Sequence, residues 1–173
     1  SHSVEIEKFY VKKKIRASGK TVFAKVPIDI SKRFNSLAVS EEYGMILAAN
    51  EDAAIYAYRL DNGKSLGMLE QHYASVNAVC FSRNNKLFAT ASSDRSIIIW
   101  NTETLQPLKR LFGRSFRYET IRFNHGGTQL AVGDELGFGR VIDLQSSRIR
   151  VAVARWHDQK ISSIRFSADD SVI

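Results

Sequence analysis

From His72 to Trp100 the chain sets short apolar runs between polar breaks. The runs are Val76, Val79 and Phe81; then Leu87, Phe88, Ala89 and Ala91; then Ile97, Ile98, Ile99 and Trp100. Arg83-Asn84-Asn85 separates the first pair and Ser93-Asp94-Arg95-Ser96 the second, both with turn chemistry. Runs this short, rich in β-branched residues and closely punctuated by turns, predict strands rather than helices.

Displaced by 42 residues in either direction, the pattern returns. Phe81 falls on Val39 and Phe123, and 43 residues further on Phe166. Val79 maps onto Leu37, Ile121 and Ile164; Val76 onto Phe34, Tyr118 and Ile161; Ser82 onto Ser40, Asn124 and Ser167. A period of about 40–45 residues with four strands per unit is the mark of a propeller blade.

With these residues in view the chain resembles the WD40-repeat family. That family's blade carries Gly-His before its first strand, Asp in the turn between the second and third, and Trp-Asp ending the third. Here the matching residues are Gln71-His72, Asp94 and Trp100-Asn101, with Thr90 at the family's Ser/Thr position. The resemblance implies a structural tetrad of His72, Thr90, Asp94 and Trp100. The chemistry suits the spacing, because a neutral His, a carboxylate, a hydroxyl and an indole N–H satisfy one another only as a linked set. A His-Asp-Thr group could also suggest a nucleophilic triad, but the family role assigns it to structure.

In the first repeat the corresponding positions are Ile30, Ala48, Asp52 and Tyr58, so only the Asp survives. In the third they are Arg114, Val132, Leu136 and Ile142, where apolar packing is expected instead. A fourth repeat opens with Trp156-His157. The expected architecture is all-β: four-stranded antiparallel blades at about 34–70, 71–112 and 113–155, and a partial one at 156–173. That is about three and a half of a probable seven, the rest supplied by a longer chain or by a partner. Pro107 suits an outermost edge strand.

Charge adds one division. Residues 1–33 hold nine Lys and Arg against three acids, whereas the remainder is nearly balanced within the overall +7. Val4, Ile6, Phe9 and Val11 alternate as a strand, Ala17-Ser18-Gly19-Lys20 supplies a turn, and Thr21 to Val26 reads as a second strand. The resemblance makes that second strand a candidate for closing the ring. The cluster Lys12, Lys13, Lys14 and Arg16 has two readings: contact with nucleic-acid phosphates, or a strand edge protected by lysines. The single Cys80 excludes an internal disulfide and fits a reducing compartment. No apolar run reaches the length of a membrane helix, so an intracellular setting, nucleus or cytoplasm, is expected.

The third blade carries the most suggestive surface. Its leading loop, Gly113 to Tyr118, and its later turn, Leu136 to Gly139, are expected to open on one face. Arg95, Arg114, Phe116, Arg117, Phe138 and Trp156 are the candidate partner-binding residues, since arginine and aromatic side chains dominate interaction hot spots. Phe116 and Phe138 could instead turn inward to fill the space left by the missing tetrad. No nucleophile-base pair and no metal-ligand spacing is visible, Asp169-Asp170 reads as a plain turn, and no cofactor is expected. The function expected is a non-catalytic scaffold for other protein subunits. The alternative is a ribonucleoprotein subunit that contacts RNA through the basic segment.

Overall fold

A computed structural model describes residues 9–14, 21–26, 33–113, 116–152 and 158–170. Val4, Ile6 and the 17–20 turn lie outside them. All assigned elements are strands. β1 (Phe9–Lys14) and β2 (Thr21–Val26) pair antiparallel in a sheet of their own. Three four-stranded antiparallel sheets follow, each with its strands side by side in chain order.

Blade one contains β3 (Phe34–Ser40), β4 (Met45–Asn50), β5 (Ile55–Arg59) and β6 (Ser65–Leu69). Blade two contains β7 (Val76–Phe81), β8 (Leu87–Ser92), β9 (Ser96–Asn101) and β10 (Pro107–Phe112). Blade three contains β11 (Tyr118–Phe123), β12 (Gln129–Asp134), β13 (Gly139–Asp143) and β14 (Ile149–Ala152). Pro107 begins β10 at the outer edge, where its missing N–H costs no ladder bond.

The turns recur with the strands. Between first and second strands the left-handed backbone falls at Gly44, Asn85 and Gly127; between second and third at Ala53, Arg95 and Gly137; between third and fourth at Gly63, Leu105 and Ser147. Each blade is therefore folded on the same hinges, even where the residue has a Cβ that disfavours positive φ.

The blades stack face to face. One apolar cluster joins Leu47, Ala49, Ile55 and Ala57 of blade one to Val76, Val79, Phe88, Ile98 and Trp100 of blade two. A second joins Ala89, Ala91, Ile97 and Ile99 of blade two to Tyr118, Ile121, Leu130, Val132 and Ile142 of blade three. Side chains alternate along each strand, so one face of blade two packs on each neighbour.

At the inner edge, each first strand carries a bulge: the register shifts at Phe34/Ser36, Val76/Ala78 and Tyr118/Thr120. The bulged residue reaches the next blade. Asn35 Nδ2 donates to the Val76 carbonyl at 3.1 Å, and Asn77 Nδ2 to the Tyr118 carbonyl at 2.8 Å. An apolar seam with a polar clasp thus repeats once per blade.

Beyond blade three, residues 158–170 form no strand, in contrast to the first strand expected near 161–166. A first strand draws its ladder from the second strand of its own blade, and residues through 170 do not supply one. The apolar register is nevertheless kept: Ile161 and Ile164 are buried against Ala131, and Ile161 N–H donates to the Asp134 carbonyl at 3.1 Å. Asp170 is more than a plain turn residue. Its carboxylate accepts from the N–H groups of His125 (2.9 Å) and Gly126 (3.2 Å), from Asn124 Nδ2 (3.1 Å), and lies 2.6 Å from His125 Nδ1.

Candidate protein-interaction face

His72 precedes β7, Thr90 lies in β8, Asp94 in the following turn and Trp100 near the end of β9. Fold pairing brings them together. His72 Nε2 is 2.8 Å from Thr90 Oγ1, His72 Nδ1 is 2.9 Å from Asp94 Oδ2, and the Trp100 indole N–H donates to Thr90 Oγ1 at 2.9 Å. One assignment satisfies every group: Nδ1–H donates to the carboxylate, the Thr90 hydroxyl donates to Nε2, and its oxygen accepts from the indole. Asp94 also accepts from the Tyr73 N–H (3.0 Å) and from the Ser96 N–H (2.8 Å) and hydroxyl (2.6 Å).

Burial lowers the His72 pKa below its ordinary value, outweighing the upward pull of Asp94, so the imidazole is neutral near pH 7. Burial works to raise Asp94, but hydrogen bonds from Ser96, Tyr73 and His72 hold its carboxyl below the usual range. Thr90 is fully buried and already bonded to both His72 and Trp100. A hydroxyl so enclosed cannot reach a substrate, and the set acts as a structural bolt.

Arg110, on β10, covers this bolt. Its Nη1 donates to Ser96 Oγ at 3.3 Å and lies 3.7 Å from Asp94 Oδ2, and its Nη2 donates to the Gln71 carbonyl. The guanidinium sits 5.5 Å from the Tyr73 ring and 5.8 Å from the Phe112 ring. Those rings are 86% and 75% exposed, far beyond what packing requires.

Blade three replaces the tetrad with different polar chemistry, a correction to purely apolar packing. Asp134, fully buried at the end of β12, accepts from the N–H groups of Leu136 (2.9 Å) and Phe138 (3.0 Å) and from Arg140 Nη1. The Arg140 guanidinium lies 4.9 Å from the Phe116 ring and 5.4 Å from the Phe138 ring, which are themselves stacked at 5.9 Å. Phe116 and Phe138 are half-buried. They neither fill the core nor stand free: they bracket a cation, which such rings attract.

Among the other anticipated residues, Arg95 is exposed at a left-handed turn. Its carbonyl accepts the Gly113 N–H at 2.7 Å, which ties it to the loop leaving β10. Arg117 is exposed and lies 3.7 Å from Glu135. Lys12, Lys13 and Lys14 fall on β1, whereas Arg16, Arg114 and Trp156 lie outside the described residues. Cys80 is buried, which pushes its thiol up to about 12 and leaves it inert near neutral pH. No group of three or more His, Cys, Asp or Glu side chains with metal-binding geometry occurs among the described residues, nor a helix long and apolar enough to cross a membrane.

Sequence reasoning missed Tyr73, Arg110, Phe112, Asp134 and Arg140. A signal for Asp134 was present: Asn50, Ser92 and Asp134 recur at the 42-residue period, each fully buried, each ending a second strand.

Fold and seams together define a β-propeller segment whose blades are locked from within and whose turns meet solvent at one end. Comparison with known proteins identifies one of the repeats. The description "WD domain, G-beta repeat" matches residues 63–101. That stretch, from β6 to β9, carries a WD40 repeat.

It is 33% identical over 73 residues to the Protein LST8 homolog of Dictyostelium discoideum, covering 39% of this chain and 24% of that protein. To the Target of rapamycin complex subunit LST8-1 of Arabidopsis thaliana it is 33% identical over 92 residues, 49% of this chain and 30% of that protein. To the human Serine-threonine kinase receptor-associated protein it is 29% identical over 68 residues, 39% and 19% respectively. The matches span less than a third of these relatives' length. The crystal structure of RRP9 WD40 repeats superposes with a TM-score of 0.67 at 19% identity, over 75% of this chain and 40% of that one, which establishes the fold.

Proposed function

We propose that the protein is a non-catalytic scaffold that holds partner proteins at the loop end of blades two and three, within a multi-subunit intracellular assembly. The observation that carries this is the row Tyr73–Arg110–Phe112, two widely exposed rings on a cation that is itself fixed to a buried bolt. Large contact groups held in place before binding lose little entropy when a partner arrives. Arg95, Arg114, Phe116, Arg117, Phe138 and Trp156 belong to the same proposed face. One similar protein is described as a complex subunit and another as receptor-associated, which supports the reading.

The test is native size-exclusion chromatography of the protein at its natural expression level. A scaffold elutes with other subunits, and Tyr73→Ala with Phe112→Ala releases it into a lighter fraction while its urea midpoint stays unchanged. A protein that elutes alone, or a double variant that stays in the heavy fraction, refutes the placement of this face.

A further inference from the structure

The seam between blades one and two is filled by Trp100, which Thr90 and His72 link to Asp94 in the turn between the second and third strands. In the next seam the positions of Thr90 and Trp100 are held by Val132 and Ile142. Ile142, smaller than an indole and without a hydrogen-bonding group, borders unfilled space. A cleft of about 310 Å³ opens there, walled by Leu111, Phe112, Gly113, Phe116, Tyr118 and Arg140. The cleft is concave and largely apolar at its base, the character of a site that accepts a side chain.

The rim has a definite electrostatic pattern. Arg110, Arg117 and Arg140 already face Asp94, Glu135 and Asp134. Arg95, pinned to the rim through Gly113, is exposed and has no ion-pair partner among the described residues. Three of the four arginines are thus already neutralised, two of them by buried carboxylates, so a phosphate backbone would find a single uncompensated charge and nucleic acid is disfavoured. One uncompensated guanidinium beside an apolar cleft fits a single carboxylate next to an apolar side chain.

We infer that the decayed tetrad of blade three has become a peptide-anchor site. It takes a segment of a partner protein that inserts one leucine- or phenylalanine-sized side chain between Phe112 and Phe116 and sets a neighbouring Asp or Glu on Arg95. The inference rests on the scaffold reading and supplies its partner chemistry.

The experiment selects a phage-displayed random peptide library against the full chain at near-physiological salt. The selected peptides are then resynthesised and titrated by fluorescence polarisation. Leu or Phe adjacent to Asp or Glu is expected to be enriched. Phe112→Ala and Arg95→Glu should each weaken binding about tenfold or more, and Leu66→Ala, on β6, should leave it unchanged. All three residues are exposed, so the variants keep the fold, checked by far-UV circular dichroism. Selected peptides without the apolar-acidic pair, undiminished binding to both variants, or displacement of the peptide by single-stranded RNA would each overturn the inference. Peptides that bind elsewhere sink the cleft but leave the scaffold reading standing. Elution of the native protein alone sinks that reading whatever the cleft does.

Discussion

Thr90→Val is the sharpest test of how blade two is held. The Thr90 hydroxyl stands 2.8 Å from His72 Nε2 and 2.9 Å from Trp100 Nε1, with no solvent access to any of the three that could replace it. Removing it leaves an acceptor and a donor buried and unpaired, at about 1–3 kcal/mol each. The new methyl group contributes roughly 0.8 kcal/mol in return, so the net loss is about 1–5 kcal/mol. With a slope of about 2 kcal/mol per molar, the urea midpoint falls by about 0.5–2.5 M. Far-UV circular dichroism is the readout, so that the altered indole environment does not bias the curve. A loss under about 0.5 kcal/mol, ordinary for an uninvolved surface site, would refute the bolt. So would full additivity with Trp100→Phe, because groups sharing one hydrogen-bonded chain must couple.

Four further outcomes follow from the geometry. His72 is held below its ordinary pKa, so the unfolded chain protonates first on acidification. Its contribution is complete above about pH 6.5 and is lost as pH falls toward the folded value; urea midpoints measured from pH 8 to 5 should flatten in His72→Asn. Asp94, also held low, acts in a separate window below about pH 4. A Cβ at Gly133 would stand 2.7 Å from Ile161 and 2.9 Å from Thr120; Gly133→Ala should cost about 1–3 kcal/mol and speed proteolysis within 158–170. Ala53→Gly should stabilise by roughly 0.5–1 kcal/mol because Ala53 sits at φ 65°, whereas Gly137→Ala, at φ 85°, should lower Tm. Thr102 Oγ1 is buried with no hydrogen-bond partner among the described residues, so Thr102→Val should be neutral or raise Tm.

The blades were legible because two periodicities coincide in this chain. Alternating burial marks each strand, and the 42-residue recurrence tells which strands are equivalent. His72, Thr90, Asp94 and Trp100 were findable because each stands at a fixed offset within one unit. Arg110 and Arg140 were not, because nothing in a sequence separates an arginine that caps a buried carboxylate from one that faces water. They also occupy unrelated register positions, one on a fourth strand and one on a third, so the repeat gives no help. The left-handed hinges at Ala53, Arg95, Leu105 and Ser147 were hidden by residue type, since turn reasoning looks for Gly and Asn. Asn35 and Asn77 did recur at the blade period, but polar residues at strand starts read as turn chemistry until the bulge is seen.

The two seams show why the same fold can change its chemistry at one end. Their apolar registers are equivalent, so packing alone sets blade against blade, and the polar closure adds to a contact already made. In blade two the closure is a hydrogen-bonded chain that runs from a buried indole at its base to the Asp94 carboxylate, with Arg110 over it. In blade three it is an ion pair, whose burial carries a desolvation cost that the flanking Phe116 and Phe138 rings reduce but do not abolish. One register position takes a different course in each: Asp94 is turned into the bolt, while its counterpart Leu136 is 43% exposed beside the Phe138 turn, where the buried carboxylate is Asp134 instead. With no carboxylate at that position, Leu136 takes no part in holding the seam, and its apolar side chain is left as surface.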